Sequence, residues 1–283
     1  MSRPRETVAL SVSIYYVSAS GYNRVDTVRI VWFQLQPGRR SALGIAALVA
    51  LALSGCAASS PPGSEFNDPF ESTNRAVHEF NKSFDKALFR PVSQAYGTVV
   101  PSYGRQRLNN VQSHFSLPSD IINGALQGRG ENTVHNVFRF LVNTTIGVLG
   151  IFDPATSFGL EDRSTDFGET LFVWGTGEGA YLEVPFFGPY TQRDLVGEVV
   201  DVVLNPLSFV SLSPPESYIP SGTYVAEALD YRYEFADTVD GIFYESADSY
   251  AQMRLIYLEN RRFRLGDTSQ ATAIDPYEEL YGE

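Results

Sequence analysis

The chain has 283 residues, 43% of them hydrophobic and 19% charged, and a net charge of −12. That length and apolar content can bury a sizeable core and exclude intrinsic disorder, while a single cysteine excludes a disulfide scaffold. The acidic balance, with Lys82 and Lys86 the only lysines, excludes nucleic acid as a partner, because neutralising phosphates needs clustered Lys and Arg.

Charge is uneven along the chain. Residues 1–55 carry six Arg against Glu6 and Asp26, a surplus of +4 that leaves −16 on the remainder. Arg39-Arg40-Ser41 leads into the apolar run Ala42 to Leu53, then Ser54-Gly55-Cys56. As a helix that run spans about 18 Å, against roughly 30 Å of hydrocarbon core, so residues 39–55 read as a secretory signal rather than a membrane span. Leu53-Ser54-Gly55-Cys56 resembles the bacterial lipobox, whose cysteine becomes the first mature residue and carries acyl chains. The alternative is an ordinary signal peptide with a chance cysteine. Several acyl chains hold a protein on a bilayer where one binds only marginally. Ala57 stands where an Asp would mark inner-membrane retention, so the resemblance favours outer-membrane sorting. Thirty-eight residues before the Arg pair exceed a usual signal n-region. Residues 1–38 are therefore expected to be an extension, with translation starting near Val31 or Leu35.

Residues 56–66 are rich in Ser, Pro and Gly and read as a tether. At Asn67-Asp68-Pro69-Phe70-Glu71 a helix is predicted, with Asp68 as cap, Pro69 at the first helical position and Glu71 returning the capping bond. Phe70, Val77, Phe80, Phe84 and Leu88 recur at helical spacing, and the helix is expected to stop near Arg90-Pro91. Tyr103 to Phe115 and Pro118 to Leu126 are two further helix candidates. Val137 to Phe152 is the most apolar stretch after the signal. Arg139 and Asn143 make it too polar, and its length too short, for a span, leaving a buried core helix or one lying in an interface. Leu171 to Trp174 and Ala180 to Val184 read as strands joined by a turn at Gly175, Gly177 and Gly179, with Pro185 to Tyr190 an aromatic loop. Asp194 to Leu204 is an amphipathic helix. After a break at Ser211 to Ser221, Thr223 to Leu265 is a long helical block divided at Gly241 or Ser246. The acidic tail, 266–283, has no basic residue and reads as disordered.

Catalytic patterns are sparse. His78, His114 and His135 form no metal spacing, and there is no G-x-S-x-G elbow, so no metal or cofactor is expected. His78 reads as a solvated or lining histidine rather than a base. Asp166-Phe167-Gly168 and the glycine string mimic kinase motifs in the wrong order, and a tight turn is the better reading of the glycines. What remains is a set of amphipathic, aromatic-rich helices. Their apolar faces are either the core of a helical domain or surfaces inserted in a bilayer interface beside an acyl anchor.

Several strings in order resemble the VacJ/MlaA family of outer-membrane lipoproteins. They are Asn67 to Glu71 with Asn74-Arg75 and Phe80-Asn81, Arg90-Pro91-Val92, Phe138 to Thr144 with Gly147, Asp166-Phe167-Gly168, Gly175 to Gly179, and Tyr181 to Gly188 with Arg193-Asp194. The match is strong over 67–212 and looser after it. The resemblance implies a mainly α fold: a ring-like bundle of amphipathic helices with a short β-hairpin or glycine turn, over residues 67–265, partly embedded in the inner leaflet of the outer membrane of a Gram-negative bacterium. It implies no enzymatic activity. Phospholipid misplaced in the outer leaflet would pass through a polar-walled passage to a soluble periplasmic phospholipid-carrier protein, with a trimeric porin holding the ring. By motif, Asn74, Arg75, Asn81, Arg139 and Asn143 are candidates either to line the passage or to hold helices together. Gly175, Gly177 and Gly179 are a candidate hinge, and Cys56 is the candidate lipidation site. The alternatives are a lipid-anchored scaffold that only binds porins, and an envelope lipid hydrolase.

Overall fold

A computed structural model describes residues 66–205 and 213–267. The extension, the signal, Cys56, nearly all of the tether and nearly all of the acidic tail lie outside those residues.

The first helix, α1, runs Glu71–Phe84. It carries no side-chain cap, because Asp68 is drawn inward to other partners. Nor does it stop at Arg90-Pro91. A π-helical turn, Asp85–Phe89, leads directly into α2, Arg90–Val99. Pro91 sits in the first turn of α2, where a missing N–H costs least, and the widened turn before it gives the ring room. The two helices expected between Tyr103 and Leu126 are one, α3, Ser102–Leu126, with Pro118 inside it. The apolar stretch forms α4, Gly130–Thr145, followed by turns through Phe152 and a single-turn α5, Pro154–Ser157.

Leu171 to Val173 is helix rather than strand, and Trp174 begins the turn after it. Asp166 caps α6, Phe167–Val173, by accepting from the Glu169 amide at 2.7 Å, and this local start outweighs the β-leaning Leu-Phe-Val-Trp composition. The hairpin lies one segment later than expected. Strands β1, Tyr181–Val184, and β2, Gly188–Thr191, pair antiparallel with Leu182 opposite Tyr190, and the turn is made by Pro185 to Phe187 rather than by the glycines. Thr191 then caps α7, Gln192–Leu204. The last block comprises α8, Ile219–Glu234, then α9, Ala236–Asp240, a second π turn, Gly241–Glu245, and α10, Ser249–Leu265. Both expected division points are used: Gly241 opens the π turn and Ser246 ends it.

Neighbouring elements pack in a closed circuit. From α1 it runs through β1, β2, α7, α6, α3, α8 and α2, and returns to α1 through the first π turn. Two crossings depend on glycine. A Cβ on Gly197 of α7 would fall 2.3 Å from the Gly168 amide nitrogen of α6, and one on Gly97 of α2 would enter the Tyr233 ring of α8. Among the described residues no helix is long and apolar enough to cross a membrane.

Candidate functional site

Polarity in this fold is reversed. Among the described residues 8 hydrophobic side chains are buried against 28 polar or charged ones, so the apolar faces are not the core. Helix α4 shows the pattern. Asn136, Arg139 and Asn143, spaced three and four apart, form its buried face, while Val134, Phe138 and Leu141 stand more than half exposed on the other. In α1 the inward stripe is Asn74, His78 and Asn81, and Phe80 faces out. The same inversion leaves Val199, Val202 and Val203 of α7 and Ile219 and Val225 of α8 outside. The sequence left α4 as either a core helix or an interface helix; its apolar face is outward.

A polar interior holds only if its groups are paired, since an unpaired buried charge costs several kcal/mol. Here ion pairs and amide bonds do the joining. Asp68 accepts from Asn74 Nδ2 at 2.9 Å and from Tyr250 at 2.5 Å, and pairs with Arg254. Arg232 of α8 grips Asp85 through two bonds of 2.9 and 3.0 Å and also reaches Asp240, while Tyr244 donates to Asp85 at 2.7 Å. The two π turns therefore meet at Asp85. Arg261 of α10 binds both oxygens of Asp166 at 2.7 Å and Asp194 at 2.8 Å. Burial pushes the Asp166 carboxyl up, but the bonds from Arg261 outweigh it and leave the group below its usual range. Arg105 of α3 pairs with Asp230 and Glu234 of α8.

One cluster is short of cations. Asp201 of α7 accepts from Ser119 at 2.8 Å, Asn123 at 2.6 Å and the Phe167 amide at 2.8 Å. Near it Asp120 of α3 accepts from the Thr165 amide at 3.0 Å. Burial, and the carboxylates of Asp162, Asp201 and Asp166, push Asp120 up to about 7. Burial raises Asp201 and Glu198 as well, each with a neighbouring aspartate adding to the shift.

The candidate residues fall in distinct places. Asn74 joins α1 to the hairpin, donating to the Tyr181 carbonyl at 3.0 Å and accepting from the Glu183 amide at 3.0 Å. Asn81 does the same further along, from Val184 to Phe186. Arg75 is half-buried and forks onto Asp248 at 3.0 and 2.9 Å, holding that carboxyl at about 2. Arg139 and Asn143 clamp the loop after α4. Arg139 donates to Asp153, Thr156 and the Leu160 carbonyl, and Asn143 donates to Asp153 and accepts from the Ala155 amide. Both also line a cavity of about 310 Å³ with His114, Glu161 and Asp162. Gly175 ends α6 in a left-handed conformation at φ 87°, so that Thr176 can bond back to Leu171. A Cβ on Gly179, at φ 74°, would fall 2.7 Å from Gln192 Oε1, whereas one on Gly177 would meet nothing within 4 Å. Cys56 lies outside the described residues. In the sequence His114 is weighed only as a metal ligand, and Asp120, Asp153 and Asp201 are not singled out. Their one signal is that each charge or imidazole interrupts an apolar segment at helical spacing or follows one directly.

His78 is fully buried, not solvated. Its Nδ1 lies 3.2 Å from Glu183 and its Nε2 3.0 Å from Ser249 Oγ, the order of a hydrolase triad. Ser249 is only 6% exposed, so the arrangement is a tie between α1, the hairpin and α10. Among the described residues no three His, Cys, Asp or Glu side chains are grouped to hold a metal ion.

Comparison with known proteins gives consistent results. A family model described as MlaA lipoprotein matches residues 66–264. The uncharacterized protein RP093 of Rickettsia prowazekii is 32% identical over 191 residues, covering 67% of this chain and 74% of its own length. The intermembrane phospholipid transport system lipoprotein MlaA of Escherichia coli K12 is 32% identical over 225 residues, covering 78% of this chain and 87% of its own. A solved structure described as "Structural basis for maintenance of bacterial outer membrane lipid asymmetry" aligns with a TM-score of 0.62 and 29% identity, over 70% of this chain and 98% of that one.

Proposed function

We propose a function on one premise: this chain belongs to the MlaA lipoprotein family, whose model spans residues 66–264. It is an outer-membrane lipoprotein of intermembrane phospholipid transport, which removes phospholipid misplaced in the outer leaflet and so keeps the two leaflets different. The observation that carries this reading is the reversed polarity, 28 buried polar residues behind exposed apolar helix faces. A headgroup crossing hydrocarbon would lose its hydration, and a polar interior can replace it, while outward apolar faces suit a bilayer interface.

The finer parts of the reading follow from the family resemblance. Residues 39–55 act as the signal and Cys56 carries the acyl anchor on the periplasmic face. Residues 67–265 form the transport domain. A trimeric porin holds it in the membrane, and a soluble periplasmic carrier takes the lipid away. Arg139 and Asn143, beside the cavity, line the route and brace its wall, whereas Asn74, Asn81 and Arg75 act as ties. The segment from Gly175 to Gly179 is the hinge candidate, with Gly177 its least constrained point. No bond chemistry is needed, because lipid leaves as it arrived.

Deleting the gene tests the reading. Phospholipid accessible to an impermeant amine-reactive reagent on the cell surface should rise, and restoring the gene should reverse it. An unchanged outer leaflet would overturn transport. The line Ser249–His78–Glu183 favours a hydrolase as the competing reading. That reading requires the purified protein to release fatty acid or lysolipid, with the release lost in Ser249→Ala.

A further inference from the structure

The cavity beside Arg139 is rich in acceptors and poor in free donors. Its single cation is committed: Arg139 Nη1 serves Thr156 at 2.9 Å and the Leu160 carbonyl, and Nη2 serves Asp153 at 2.9 Å. Only Nε makes no hydrogen bond among the described residues, and it faces Asp162 at 3.9 Å. Against that one charge stand Asp153, Glu161 and Asp162 in the same wall.

His114 adds a neutral acceptor whose tautomer is fixed by its neighbours. Thr144 Oγ1 donates its only proton to the Phe140 carbonyl at 2.6 Å. The contact of 3.2 Å between Thr144 Oγ1 and His114 Nε2 must then be a donation from the ring. Nδ1 is left with a lone pair and no partner among the described residues, in a side chain only 5% exposed. Turning the ring over in its plane would give up the Nε2 bond to Thr144. The ring stacks flat on Phe140, centroids 4.8 Å apart, and lies so near Gly150 that a Cβ there would fall 2.4 Å from the histidine Cβ. Burial and the Arg139 charge lower the histidine pKa, so the imidazole stays uncharged.

An orphaned buried acceptor beside surplus carboxylate calls for a ligand that is cationic and donates hydrogen bonds. A primary ammonium, with three N–H donors, is the common biological group that does both. A volume of about 310 Å³ is enough for a small headgroup. We infer that this cavity binds the primary ammonium of an ethanolamine-type phospholipid headgroup, with His114, Glu161 and Asp162 as the selecting residues. The inference rests on the phospholipid-transport reading and adds a chemical preference to it.

Three lipids with identical tails separate charge from hydrogen bonding: phosphatidylethanolamine, phosphatidylcholine with the same charge but no N–H, and anionic phosphatidylglycerol. The full-length lipoprotein in detergent is offered an equimolar mixture, and bound lipid is counted by native mass spectrometry. Wild type should favour phosphatidylethanolamine over each competitor by about fivefold or more. The variant His114→Phe keeps the stack on Phe140 and should bring phosphatidylethanolamine and phosphatidylcholine to parity. The double variant Glu161→Gln, Asp162→Asn changes two exposed side chains, folds without difficulty, and should erase the disadvantage of phosphatidylglycerol. Equal binding of all three lipids by wild type, as for a cavity holding water only, overturns the inference and leaves the transport reading standing. Binding of none of the three overturns the transport reading itself.

Discussion

At Asp120 a carboxyl is enclosed between α3 and the segment before α6 with one amide donor and no cation, and its pKa rises to about 7. The ordinary aspartate value is 3.8, so between the two pH values the folded protein keeps a proton that the unfolded chain has lost. The contribution of Asp120 to stability therefore falls as pH rises from about 4 to about 7, and is flat above. Asp120→Asn keeps the acceptor for the Thr165 amide and removes the titration. The variant should be more stable than wild type by about 1–3 kcal/mol at pH 8, with the gap closing toward pH 4. Urea unfolding at both pH values measures this, and equal stability at pH 8 would refute the burial argument. Asp85 and Asp166 illustrate the opposite solution, each held by a forked arginine from a distant helix. Because the carboxylates of the interior come from many segments, their pairing is invisible in any local window of sequence.

Helices were the most legible elements, and the direction they face the least. The 3.6-residue rhythm of α1 and α4 announces two faces, but the rhythm has no sign: it does not say which face turns inward. Arg139 and Asn143 inside the most apolar segment were the available hint, since two costly polar residues there had to be either mistakes of placement or the buried side. Local grammar failed where a junction was compensated by its surroundings. Pro91 reads as a stop, yet a π turn carries the helix past it. Leu171 to Trp174 reads as strand, yet the Asp166 cap starts a helix there. The glycine string was rightly seen as punctuation and wrongly given to the hairpin, whose turn is built by Pro185 to Phe187. At the α6–α7 crossing, Gly197 was never singled out, because close approach of two backbones is a tertiary fact. Gly197→Ala would put its Cβ 2.3 Å from a backbone nitrogen that has no rotamer to yield, so a loss of about 2 kcal/mol or more is expected. Thermal unfolding of that variant beside Gly177→Ala, where nothing lies within 4 Å, provides the contrast.

For the whole molecule, exposed apolar faces and a paired ionic interior make a protein fitted to two surroundings at once. Phe138, Leu141, Ile146 and Leu149 on and after α4, and Phe186 and Phe187 at the hairpin tip, are each about half exposed or more. Exposed apolar side chains in such number drive association when water is the only neighbour. With Cys56→Ala, which removes the proposed anchor, the purified chain should self-associate in buffer and return to a monomer in mild detergent. Light scattering distinguishes this from a monomer in both conditions, which would mean the outward faces are covered by the chain itself. Fractionation of the same variant should find it released from the membrane or unprocessed.

The scarcity of buried apolar side chains also bears on how this fold responds to temperature. The heat capacity released on unfolding scales with apolar area newly exposed to water, and polar exposure subtracts from it. The described residues bury 28 polar or charged side chains against 8 hydrophobic ones, and so have little of the first and much of the second. A shallow stability curve, with weak curvature and little loss on cooling, is the expected outcome of scanning calorimetry on this protein.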